Sequence, residues 1–153
     1  MNAIGLDLGT HTGWASCRGG MSSLTYGTTN LKFDARFEGG GMRFLRFRQW
    51  LKELIKLTNP EAIFYEEVRS HKGTAAAHVY GGLQAILTGL AEGQMIPYTG
   101  IPVGTIKMFA TGRGNASKAE MIKAANQKYG GAANDNEADA IFCLACGIEG
   151  LNA

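Results

Sequence analysis

Residues 3–10 read Ala-Ile-Gly-Leu-Asp-Leu-Gly-Thr, an apolar run with one carboxylate inside it. Ile4, Leu6 and Leu8 alternate as one face of a short strand, and Gly9 marks where the chain can turn. A carboxylate in a buried strand is costly unless something positive meets it. The partner that suits a hard oxygen donor is a metal ion, alone or carried by a phosphate. Asp7 therefore constrains the fold twice. Its strand must be interior, and other acids must converge on the same strand end.

The chain of 153 residues fits one domain spanning 1–153 and is long enough to bury a core. Glycine supplies 22 positions, about twice ordinary usage, so many backbone sites turn sharply or pack closely. Net charge is only +2, but its distribution is uneven. Arg43, Arg46, Arg48, Lys52 and Lys56 face a single acid, Glu53, across 43–56. Lys107, Arg113, Lys118, Lys123 and Lys128 face only Glu120 across 105–128. Basic flanks around an acidic centre suit an enzyme that grips phosphates and acts through a metal. Three cysteines, an odd count without a secretory signal, point to a reduced, cytoplasmic compartment. Cys143 and Cys146 have CxxC spacing but lie in an apolar helical run without a second pair, which reads as a buried structural pair. No run approaches the ~18 apolar residues that a membrane span needs.

Periodicity predicts an α/β fold with a mixed sheet. Strands are expected at roughly 2–8, 12–18 and 22–31, joined by turns at Gly9–Thr12 and Gly19–Gly20. An amphipathic helix follows at 42–58, stopped by Asn59-Pro60. A strand at 62–68 ends in Glu66 and Glu67, and a small-residue helix at about 75–93 can lie on a sheet or against a twin helix. The next strand is expected at 96–100, with Lys107 in a loop or short helical turn beyond it. Ser117-Lys-Ala-Glu120 reads as a capping box opening a helix at 118–129, and the last helix runs from about 135 to 149.

Three acidic places emerge: Asp7, the Glu66/Glu67 pair, and Asp135, Glu137 and Asp139 at the start of the last helix. Functional groups in α/β sheets gather where strand ends meet helix starts. Carboxylates converging there form an oxygen cage for Mg²⁺ or Mn²⁺, and two such ions about 4 Å apart suit phosphodiester hydrolysis. Glu66 and Glu67 point to opposite faces of their strand, so only one can join Asp7. On the last helix Asp135 and Asp139 share a face, as do Asn136 and Asp139, while Asp135, Asn136 and Glu137 also suit a helix start.

Taken in order, Ile4–Thr10 with Thr12-Gly-Trp-Ala15, Tyr65-Glu-Glu-Val68, Pro102-Val-Gly-Thr-Ile-Lys107, Ala116-Ser-Lys118 and Asn136-Glu-Ala-Asp-Ala140 span nearly the entire chain. This set resembles the RuvC family of Holliday junction resolvases, particularly its small bacterial and phage-type members. The resemblance implies an RNase H-like fold. Its mixed five-stranded sheet has three antiparallel strands followed by two parallel ones, with helices on the flanks. It also implies a homodimer that cuts four-way and other branched DNA junctions with paired nicks, using two Mg²⁺ or Mn²⁺ ions per site. The setting implied is the cytoplasm of a bacterium or a phage-infected host. On this resemblance Asp7, Glu66 and Asp139 are the metal-binding catalytic acids, and Lys107 and Lys118 lie near the scissile phosphate or DNA backbone.

Two departures stand out. The family often carries Asp or His three residues before the final acid, where this chain has Asn136, so Asp135 is the preferred fourth ligand beside it. An aromatic common in the loop after Glu66 is replaced by Arg69. Arg69, His71, Lys72 and Arg113 complete the expected DNA contacts with Lys107 and Lys118. The competing readings are another nuclease of the same fold, of the YqgF type or acting on RNA or branched replication intermediates, and a junction-binding protein that does not cut.

Overall fold

The computed structural model describes residues 1–153. Eleven segments alternate through it: β1 (Ala3–Asp7), β2 (His11–Cys17), a 3-10 turn (Met21–Ser23), β3 (Thr25–Asn30), α1 (Gly41–Thr58), β4 (Ala62–Glu67), α2 (Thr74–Gly93), β5 (Tyr98–Pro102), α3 (Val103–Thr111), α4 (Lys118–Tyr129) and α5 (Asp135–Asn152). The five strands form one sheet in the order β3-β2-β1-β4-β5. β3, β2 and β1 are antiparallel, and β4 and β5 continue parallel to β1. The expected mixed sheet is therefore present, with β1 at its centre.

Alternation along the central strands builds two cores. Ile4, Leu6, Leu8, Ile63 and Tyr65 face α1 and α2, where Phe47, Leu51, Leu83 and Leu87 are fully buried. Ala3, Ala15 and Phe64 face the other way, against Ala140, Ile141 and Leu144 of α5 and Ile106 and Met121 of α3 and α4. A sheet covered on both faces explains the near-continuous apolar reading of β1 and β4.

Helix α5 lies unusually close to the sheet, and glycines permit it. A Cβ on Gly5 would sit 2.6 Å from the Ala140 carbonyl oxygen, and one on Gly13 would overlap the Asn136 carbonyl. Phe64 fills the space beside Gly147 in the same way. The start of α5 is also tied to β3, since the Asn134 amide donates to the Thr28 hydroxyl at 3.1 Å.

Three boundaries differ from expectation. β3 starts at Thr25 because the Ser23 hydroxyl draws residues 21–23 into a turn, accepting from the Arg18 N–H at 2.8 Å and donating to the Gly20 carbonyl at 3.2 Å. β5 starts at Tyr98 because the chain leaving α2 at Gly93 makes one more turn first. The Ile96 N–H still donates to the Ala91 carbonyl at 2.9 Å, across a left-handed Met95 (φ 55°). Lys107, expected in a loop or short helical turn, lies on a nine-residue helix, α3, closed by Gly112 at φ 79°. The Asn59 stop of α1 and the Ser117 cap of α4 fall where expected. No helix is long and apolar enough to cross a membrane.

Gly13→Ala should force α5 off β2. Overpacking of this kind costs about 1–3 kcal/mol. Thermal unfolding should show a melting temperature lower by about 3–9 °C, whereas Gly150→Ala, with open space around its Cβ, should leave it unchanged or slightly raised.

Candidate active site

The parallel pairing of β1 with β4 places Leu6 opposite Tyr65. One residue further on, Asp7 and Glu66 share the face covered by α5. Glu67 falls on the Tyr65 side and instead meets Arg69 at 3.1 Å near the surface. Register thus separates two glutamates that strand parity alone leaves equivalent. Asp139, at the beginning of the second turn of α5, comes down onto the same point. Carboxylate oxygens of Asp7, Glu66 and Asp139 all lie within 4.8 Å of one another.

Acids this close repel, and all three carboxyls titrate above their ordinary values. Burial raises the Asp7 carboxyl well above its ordinary 3.8, with Glu66, Asp139 and Asp135 adding to the rise and Lys118 opposing it. Asp139 is pushed up to about 7 by burial, then by Glu66 and Asp135, against Lys107 and Lys118. Glu66 is raised by burial, with Lys107 opposing and Asp135 reinforcing. No hydrogen bond is among these causes. The carboxylate lone pairs therefore face one another without protein donors between them. An all-oxygen, anionic donor set of this kind fits a hard divalent cation such as Mg²⁺ or Mn²⁺.

The fourth side of the cluster is Asp135. Its charge reaches all three acids, and it holds Lys118 at 3.5 Å. The main-chain carbonyl of Asn136 packs against Gly13. Glu137 serves the helix start: its carboxylate accepts from the Ala133 N–H at 2.6 Å, and its own N–H donates to the Asn134 side chain at 2.9 Å. Asn134 is thus the N-cap of α5, one residue ahead of the expected start.

The basic candidates divide. Lys107 and Lys118 act on the acids through space from α3 and α4. Arg113 pairs with Glu120 at 3.3 Å, and Arg69 is occupied by Glu67. His71 lies against Tyr80, with ring centroids 5.0 Å apart, and Lys72 is exposed.

Tyr80 is the positioning residue that sequence reasoning missed. Its hydroxyl donates to the Glu66 carbonyl at 2.9 Å and accepts from the Val68 N–H at 3.1 Å. It thereby pins the strand end that carries Glu66. The one tyrosine among the small and aliphatic residues of α2 was the available signal.

No family model matches the chain, and no curated protein matches it. Solved structures do. Thermus thermophilus RuvC in complex with a Holliday junction substrate superposes with a TM-score of 0.79 at 21% identity, covering 95% of this chain and 92% of that one. The fold is RuvC-like. A second T. thermophilus RuvC structure gives a TM-score of 0.75, also at 21% identity, with the same coverage of 95% and 92%. The yeast mitochondrial Holliday junction resolvase Ydc2 gives 0.64 at 16% identity, covering 94% of this chain and 76% of that one. Within this fold β1, β4 and α5 each contribute one acid of the cluster.

The raised carboxyls predict a pH dependence. Asp139 holds its proton up to about pH 7 in the folded state, against 3.8 ordinarily. Between those values the folded chain binds more protons than the unfolded one, so stability falls as pH rises and levels off above about 7. Asp7 and Glu66 have the same sign. In chelator, Asp139→Asn should remove part of this slope and melt higher than wild type at pH 8, by about 5 °C. At pH 4 the two should melt alike.

Proposed function

We propose that this chain is a metal-dependent endonuclease that cuts four-way DNA junctions by phosphodiester hydrolysis. The convergence of Asp7, Glu66 and Asp139 within 4.8 Å carries the reading. Its RuvC-like fold supports the choice of substrate, because one similar protein was solved on a Holliday junction and another is a Holliday junction resolvase.

Asp7, Glu66 and Asp139 would hold the cations, with Asp135 at the margin. Bound there, a pair of Mg²⁺ or Mn²⁺ ions supplies the positive charge that a phosphodiester needs in order to be hydrolysed. Glu66 is oriented through its backbone by Tyr80, which leaves its oxygens free. Lys107 and Lys118 bring positive charge to the edge of an acidic centre that would otherwise repel DNA. Lys118, 83% exposed in its side chain, is free to exchange Asp135 for a backbone phosphate. Arg69, His71, Lys72 and Arg113 lie outside the cage as DNA contacts.

A homodimer gives paired nicks, since two sites related by a two-fold axis match a substrate with the same symmetry. Helix α2 supports this, exposing Gly81, Ala85 and Gly89 four residues apart as a flat stripe on which a twin helix can lie. The protein would act in the cytoplasm as one nuclease domain.

The test is a labelled synthetic four-way junction incubated with Mg²⁺, with Mn²⁺ and with chelator. Wild type should give metal-dependent paired nicks. Asp7→Asn should cut at least about a thousandfold more slowly, as loss of several kcal/mol of charge stabilisation requires. Mg²⁺ should raise the melting temperature of wild type but not of the variant. Tight junction binding without cutting would replace the enzyme with a binding protein. Cutting of RNA–DNA hybrid alone would move it to another nuclease of this fold. Light scattering checks the dimer.

A further inference from the structure

On the α1/α2 side of the β1 end lies a cleft of about 440 Å³ that the cage does not use. Leu8, Val68 and Val79 give it an apolar floor, and Thr10, Arg43 and His71 supply its polar groups. No acid lines it. Helix α2, whose first turn forms one wall, has no acidic residue in that turn and no side-chain cap.

Arg43 is the unusual member. Arg36, Arg46, Arg69 and Arg113 each hold a carboxylate within 3.3 Å. Arg43 holds none, although it is half-buried, and its Nε is buried without a hydrogen-bond partner. Its guanidinium instead lies over the Phe33 ring, 5.2 Å from the centroid. A guanidinium over an aromatic ring, with no acceptor of its own, is prepared for an anion.

The cleft is also near the cage. Thr10 lies three positions beyond Asp7, a reach of at most about 11 Å. Phosphates advance about 3.4 Å along the axis of each DNA strand, so a strand lying on the cage passes the cleft within about three nucleotides.

We infer that this cleft binds one backbone phosphodiester of the strand being cut. The phosphate lies on Arg43 and His71, and the deoxyribose lies on Leu8, Val68 and Val79. Such a contact sets the register of the strand over the cage without reading sequence. The inference rests on the junction-nuclease reading and adds a subsite to it.

The probe is a four-way junction carrying neutral methylphosphonate linkages, one phosphate at a time along one strand. Binding is measured in chelator, so the readout does not depend on cutting. Wild type should lose about tenfold in affinity at one position, the scale of one charge-assisted contact. Arg43→Met, which keeps the packing on Phe33, should bind the all-phosphate junction about tenfold more weakly. Its salt slope should be smaller by about 0.9, and it should show no further penalty at that one position. Arg43→Lys should recover part of the affinity. His71→Asn, outside the helices, gives the same comparison without touching α1, and unchanged melting curves establish that the variants fold. Wild-type affinity and salt slope in Arg43→Met, or a linkage penalty that persists in the variant, would overturn the subsite and leave the nuclease reading intact. A wild-type protein that binds no junction would overturn both.

Discussion

The contact between α5 and the backbone of β1 and β2 is the constraint on which the rest of the structure depends. Gly5 and Gly13 have no side chains because the helix occupies the space those side chains would fill. The approach leaves no room for a Cβ at either glycine, and it brings Asp139 within carboxylate reach of Asp7. A wider separation would leave two acids on the sheet and one above it, too far apart to share a cation. The glycine content that stood out in the composition thus has a definite use at these two positions.

This proximity works against folding. Three carboxylates lose solvent together, and Glu66 and Asp139 raise the titration of Asp7 while Glu66 raises that of Asp139. The cost is tolerated because the elements bearing them are secured elsewhere. β1 lies between two apolar layers, and α5 presents Ala140, Ile141 and Leu144 to the sheet. Around the cluster, Lys107 and Lys118 oppose the repulsion from separate helices, while Asp135 extends it. The positive charge is movable and the negative charge is fixed, an arrangement suited to exchanging partners when a polyanion arrives.

Much of this was legible in the sequence, and the reasons for the exceptions are physical. Element order followed from periodicity, and the ends of α1 and the start of α4 followed from Asn59-Pro60 and Ser117, because those signals are local. The choice between Glu66 and Glu67 was not local. It depends on the register of β4 against β1, which only pairing supplies. Helix α3 was too short to show a period. Asn134 was overlooked as a cap because the acids after it drew attention to Asp135. Arg43 was visible only as part of a basic run, since its lack of a partner is a property of the folded surface.

Tyr80 carries a further consequence. A carboxylate is usually held in place by donors to its own oxygens, and each such bond occupies a lone pair. Here the tyrosine hydroxyl grips the main chain on either side of Glu67, at the Glu66 carbonyl and the Val68 amide. The acid is aimed from behind, through its peptide, and its coordination capacity remains whole.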